Sequence, residues 1–91
     1  MITGRTAVYG LLGRPVAHSR SPALHNHWLA HHGVDGVYVC FPVPGGREHG
    51  LGDAIRALGL AGCNITVPLK EAIVPALDRL DASAARLGAV N

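Results

Sequence analysis

Residues 7–22 read Ala7-Val8-Tyr9-Gly10-Leu11-Leu12-Gly13-Arg14-Pro15-Val16-Ala17-His18-Ser19-Arg20-Ser21-Pro22. The first seven are a continuous apolar run closed by Gly13-Arg14-Pro15, the pattern of a buried strand followed by a turn. Ser21 is a good N-cap, Pro22 suits the first helical position, and Gly33 suits the position just past the end, so Pro22–His32 reads as a helix. Leu24 and Trp28, one turn apart, mark its apolar face. A buried strand leading into a helix is how a parallel α/β layer begins.

The remainder repeats that unit. Val37–Val43 is rich in β-branched and aromatic residues and closes at Pro44-Gly45-Gly46, a second strand. Arg47–Leu58 places Leu51, Ile55 and Leu58 at helical spacing, with Gly59 as the stop. Gly62–Val67 is a third strand ended by Pro68. Ile73, Leu77 and Leu80 then return to helical spacing, but Pro75 lacks an N–H and clashes with the preceding turn. The expectation is a short turn at 69–74, a new start at Pro75, and a last helix over 82–87 capped by Asp81 and stopped by Gly88. Ala89-Val90-Asn91 opens a fourth strand. The order predicts an α/β fold, a mainly parallel sheet of about four strands with right-handed helical crossovers in three layers, α/β/α.

Ninety-one residues make one domain at most. Apolar residues are 48% of the chain and charged residues 15%, which excludes disorder. The net charge of +2 is carried by arginines scattered along the chain, whereas nucleic-acid binding needs a basic stripe or patch. No run approaches the roughly 18 apolar residues of a membrane helix, and the start MITGRTAVYG lacks the apolar core of a signal peptide. The expected setting is cytoplasmic, with no nucleic-acid or membrane partner. Cys40 and Cys63 fall in apolar, strand-like runs and read as buried free thiols. The apolar surplus is compatible with cover from a second domain or a second copy, a homodimer.

In open α/β sheets, ligands bind outside the carboxyl ends of the strands. Those ends carry His18-Ser19-Arg20-Ser21, then Thr66-Val67-Pro68-Leu69-Lys70, then Asn91. Ser19 and Ser21, two apart, face one side of an extended segment and could both donate to a carboxylate beside the positive end of the next helix. From spacing alone Ser21 reads first as a plain N-cap before Pro22, and the two roles are compatible. Lys70 is the single lysine among eight basic residues. Unlike arginine it can give up its proton, and at a helix start the local dipole disfavours its charge; that is how a general acid or base is made. The plain alternative is a solvated lysine beside Glu71. Asn64 and Thr66 share one face of the third strand, where polar groups need partners, internal or from a ligand. Asn91 adds an amide at the neighbouring strand end.

Of the six histidines, His27 and His31 are spaced i, i+4, but no His-Glu-x-x-His pattern and no nearby carboxylate accompanies them. They read as solvated residues, and no metal site is expected. No Gly-x-Gly-x-x-Gly and no phosphate-binding loop follows any strand, and Gly10-x-x-Gly13 is too short for either. The chain has no cofactor-binding residues of its own.

Taken in order, three motifs resemble the shikimate dehydrogenase family. Gly13-Arg14-Pro15-Val16-Ala17-His18-Ser19-Arg20-Ser21-Pro22 followed by Leu24-His25-Asn26 is similar to its opening. Gly62-Cys63-Asn64-Ile65-Thr66-Val67-Pro68-Leu69-Lys70-Glu71 is similar to its Gly-x-Asn-Val-Thr-Ile-Pro-x-Lys-Glu, and Gly88-Ala89-Val90-Asn91 to its Gly-Ala-Val-Asn. The resemblance implies the amino-terminal, substrate-binding domain of an enzyme that reduces 3-dehydroshikimate to shikimate with NADPH in aromatic amino-acid biosynthesis. It implies that Ser19 and Ser21 hold the substrate carboxylate, that Asn64, Thr66 and Asn91 bind ring hydroxyls, and that Lys70 moves a proton. The family's partner aspartate and its carboxy-terminal NADP-binding domain have no counterpart in these residues, so the chain alone is expected to be inactive. The alternative is a stand-alone, non-catalytic binding module for shikimate or quinate.

Overall fold

The computed structural model describes all residues, Met1–Asn91. Three strands form its sheet: β1 (Ala7–Gly13), β2 (Gly36–Pro42) and β3 (Gly62–Ile65). Their spatial order is β2-β1-β3, and both pairings are parallel, with Tyr9 opposite Tyr38 on one side and Gly62 on the other. The central position of β1 explains its unbroken apolar run, because a central parallel strand is covered on both faces.

The two crossovers lie on opposite faces. Helix α1 (Ser21–His31) joins β1 to β2; helix α2 (Leu51–Leu58) joins β2 to β3 and is entered through a 3-10 turn, Glu48–Gly50. Because β2 and β3 flank β1 on opposite sides, right-handed connections must cross on opposite faces. On the α2 face Leu12, Val43, Ile65, Leu69 and Ile73 are buried together, with Leu51, Ile55 and Phe41 packed against them. On the α1 face the buried set is Leu11, Val16 and Tyr38, joined by Tyr9, Leu29 and Cys40. A second 3-10 turn (Val74–Ala76) and helix α3 (Ala82–Leu87) complete the chain. No helix is long and apolar enough to cross a membrane.

Several boundaries differ from the expectation for physical reasons. The sheet has three strands, not about four. Ala89–Asn91 runs past β3, but only the Ile65 N–H reaches it, donating to the Asn91 carbonyl at 2.6 Å, while the Val90 N–H is spent on the Lys70 carbonyl at 2.9 Å. Residues 66–73 form successive turns rather than a helix start, so the dipole expected to act on Lys70 is not there. Pro75 sits inside the second 3-10 turn, and Leu77 and Leu80, beyond it, are part-exposed.

Leu24 and Trp28 face outward, 56% and 50% exposed. The helix instead turns Leu29 inward, because Asn26 fastens it to the edge strand. The Asn26 side chain donates from Nδ2 to the Tyr38 carbonyl at 2.9 Å and accepts from the Tyr38 N–H at 2.8 Å. β2 lies at the sheet edge, so this amide closes a backbone pair that would otherwise be open. Cys40 and Cys63 are free but only half-buried.

Candidate functional site

The chain leaves β1 toward β2, yet β3 lies on β1's other side. The connections after β1 and β3 therefore part in opposite directions, and the strand order 2-1-3 puts a crevice between their carboxyl ends. The two loops that border it are pinned together. The Thr66 N–H donates to the Leu12 carbonyl at 2.9 Å and the Arg14 N–H to the Val67 carbonyl at 2.8 Å, which carries the β1–β3 pairing two residues past Ile65. Gly13 permits this approach: a Cβ there would collide with the Thr66 methyl and stand 2.8 Å from the Val67 carbonyl. Arg14 reaches sideways and donates from Nη1 to the Val43 carbonyl at 3.1 Å, tying the loop after β2 to the same end.

Ser19 and Ser21 occupy the entry to α1. The helix begins at Ser21 itself, and the side chain at the cap position, Arg20, makes no capping bond. It is Ser19 whose Oγ accepts from the Ser21 N–H, at 3.1 Å. The capping role expected of Ser21 thus falls to Ser19. The Ser21 hydroxyl makes no hydrogen bond within the protein, and the Ala23 N–H finds no protein acceptor. A half-buried hydroxyl and an unspent N–H at a helix amino terminus suit a carboxylate.

Across the crevice, Asn64 and Thr66 lie on the α1 side of β3. Asn64 Nδ2 donates to the Tyr38 hydroxyl at 2.8 Å, the internal partner that a polar group on this strand needs. Tyr38 is 3% exposed, and the His25 ring stacks on it with centroids 4.2 Å apart. Neither Tyr38 nor Asn26 stood out in the sequence as part of the site. For Asn26 the signals were its place in the first motif and its position in mid-helix, where asparagine is a poor helix former.

Lys70 is half-buried between two anchors, Leu69 (1% exposed) and Ile73, in a turn closed by the Ile73 N–H donating to the Leu69 carbonyl at 3.0 Å. Its ammonium is in no ion pair, so pairing with Glu71 is not what holds it. The far end of the segment is tethered to α2: Arg56 Nη2 donates to the Ala76 carbonyl at 2.6 Å and to Asp78 at 3.1 Å. Asn91 is exposed and lies on the outer side of β3, attached through its carbonyl to Ile65.

Ser19 and Ser21 lie at the entry to α1 beyond β1, Asn64 and Thr66 at the carboxyl end of β3, Lys70 on the loop that continues from Thr66, and Asn91 one strand spacing away. No enclosed cavity holds all six. A groove of about 430 Å³ under α1 reaches Asn64 alone of them, and one of about 320 Å³ on the α2 face reaches Asn91 alone. Burial pushes the Cys63 thiol up, which makes it a poor nucleophile. The β1 glycines are used for packing, Gly10 against the Phe41 ring and Gly13 against Thr66, and neither opens a phosphate loop. These residues do not fit a dinucleotide.

The family model described as the shikimate dehydrogenase substrate binding domain matches residues 11–91. The shikimate dehydrogenase (NADP(+)) of Rhodospirillum rubrum is 54% identical over 92 residues, covering 100% of this chain and 32% of its own. A crystal structure of a shikimate dehydrogenase in complex with NADP+ superposes with a TM-score of 0.95 at 43% identity, covering 100% of this chain and 32% of its own. The shikimate 5-dehydrogenase of Listeria monocytogenes, solved in complex with shikimate and NAD, gives a TM-score of 0.88 at 41% identity over 99% of this chain and 31% of its own. The chain spans about a third of the length of each of these relatives.

Proposed function

This chain belongs to the shikimate dehydrogenase substrate-binding domain family, and we propose that it binds shikimate or 3-dehydroshikimate in the crevice between the carboxyl ends of β1 and β3. The observation that carries the reading is the pinning of two loops at that crevice, one bearing Ser19 and Ser21, the other Thr66 and Lys70. The substrate carboxylate lies against the Ser19 and Ser21 hydroxyls at the amino end of α1. Asn64, Thr66 and Asn91 take ring hydroxyls. Lys70 moves one proton at the oxygen of the carbon that alternates between ketone and alcohol, acting as a general acid in reduction and a base in oxidation.

NADP is assigned to a carboxy-terminal domain of the intact enzyme, since nothing in these residues fits it. Their share of the chemistry is to hold and orient substrate and to handle that proton. Taken alone, they bind without turnover. Calorimetric titration with shikimate, and with quinate as the competing polyol acid, tests the reading: saturable shikimate binding is expected, and its absence in the folded chain would remove the proposal. Turnover of shikimate by these residues alone with either nicotinamide cofactor would contradict the assignment of the cofactor elsewhere.

A further inference from the structure

We propose that Tyr38 is a positioning residue for substrate recognition, fixing the Asn64 amide so that its carbonyl is presented to a ring hydroxyl, with His25 and Asn26 holding Tyr38 for that task. The inference rests on the reading of Asn64 as a substrate ligand and extends it to residues on two other elements.

An asparagine at an exposed strand end can turn either face of its amide outward, as donor or as acceptor. Here one end is taken, because Nδ2 donates to the Tyr38 hydroxyl at 2.8 Å. The amide is planar, so Oδ1 is directed away from that bond and remains the acceptor on offer. The bond is not a neighbour contact. β1 lies between β2 and β3, a gap of about 10 Å at ordinary strand spacing, and only a side chain as long as tyrosine crosses it. The ring that crosses is immobilised. It is buried with Leu11 and Val16, His25 stacks on it at 4.2 Å and 12°, and Asn26 grips both backbone groups of the same residue at 2.9 and 2.8 Å. The His25-Asn26 pair thus acts through Tyr38 on Asn64.

The test uses the 91-residue chain, NMR and calorimetry. In the unliganded wild type, an NOE between an Asn64 side-chain amide proton and the Tyr38 ring edge is expected, with the two amide protons well separated in shift. Tyr38→Phe keeps the ring and removes the hydroxyl, and it should collapse that separation. It should weaken shikimate binding about 3- to 10-fold, the worth of one hydrogen bond. In an Asn64→Ala background the same substitution should change binding less than about 2-fold, whereas any stability change should appear in both. Equal loss of binding in both backgrounds, no loss in either, or absence of the wild-type NOE overturns the proposal. Absence of shikimate binding by the folded wild type is a different failure, which removes the function of the site itself and the recognition role with it. An intact wild-type affinity with an unchanged Asn64 amide in Tyr38→Phe removes only the Tyr38 link.

Discussion

The two faces of the sheet are built to different ends. On the α2 face, Leu12, Val43, Ile65, Leu69 and Ile73 close into one apolar cluster that takes residues from β1, β3 and the turns after both β2 and β3. On the α1 face, the buried set is smaller, polar bonds run from Asn26 through Tyr38 to Asn64, and the groove beside Trp28 and His32, about 430 Å³, is larger than the one of about 320 Å³ on the α2 face. The α2 face buries the larger apolar cluster, and apolar burial drives folding. The α1 face, at its carboxyl rim, carries the groups assigned to chemistry. Lys70 is where the two meet, since its flanking residues Leu69 and Ile73 are anchored in the closed cluster.

The largest expected effect bears on that junction. In an intact enzyme carrying these residues, Lys70→Ala should lower the catalytic rate 10²–10⁴-fold, about 3–5 kcal/mol in the transition state, with a smaller change in substrate affinity. Lys70→Arg should do little better, because it restores charge without a transferable proton. Near-wild-type turnover by the arginine variant would remove the acid–base role.

Next comes the contrast between the faces themselves. Leu69→Ala should cost about 2–5 kcal/mol by urea unfolding, through a cavity in the closed cluster. Trp28→Ala, on the open side, should change the unfolding free energy by no more than about 0.5 kcal/mol. Similar losses in the two variants would mean that the α1 face bears as much of the fold as its opposite.

Two smaller effects concern helix entries. Ser19→Ala should lower stability by about 1 kcal/mol through loss of the acceptor for the Ser21 N–H. Ser21→Ala should leave stability nearly unchanged while weakening shikimate binding by about 1.5–3 kcal/mol, the range for a bond to a charged group. A larger melting shift for Ser21→Ala than for Ser19→Ala would return the cap to Ser21. At α3, the Ala84 N–H and then the Ser83 hydroxyl hold the Asp81 carboxyl below the usual carboxylate range. A lowered folded value means the cap is fully in force above the unfolded pKa and is lost as pH falls through the folded one. The amides of 82–87 should therefore lose protection first as the solution is acidified, ahead of the sheet. Simultaneous loss throughout would show that α3 does not report its own cap.

How much of this was legible in the sequence follows the same division. β1 and α3 are where the apolar run, Asp81 and Gly88 place them, because their signals are local: an unbroken buried strand, and a cap with a left-handed stop at Gly88. β3 was expected to reach Val67, and the ladder bonds do extend that far although the strand geometry ends at Ile65. What local pattern missed was set by tertiary contact. Leu24 and Trp28 look like a helix face, but the inward side is chosen by Asn26 on the β2 edge. The partner of Asn64 lies 26 residues away on a strand it does not adjoin. The cap moved by two residues because Ser19 and Ser21 are equivalent in composition and differ only in where the backbone begins to coil. Of the expected site, both serines lie at the entry to α1 and Asn64 and Thr66 at the end of β3, as the strand–turn–helix pattern places them, whereas Asn91 lies beyond β3, attached to it through the Ile65 N–H.

The proposed binding of shikimate in the crevice between β1 and β3 is what the other assignments depend on. Backbone amide shifts followed during shikimate titration test it directly. Saturable shifts are expected, concentrated in residues 14–24, 64–70 and Asn91, with the α2-face cluster around Ile55 and Ile73 unmoved. Shifts centred on the groove between Trp28 and Tyr9, or no saturable shift in the folded chain, would contradict it.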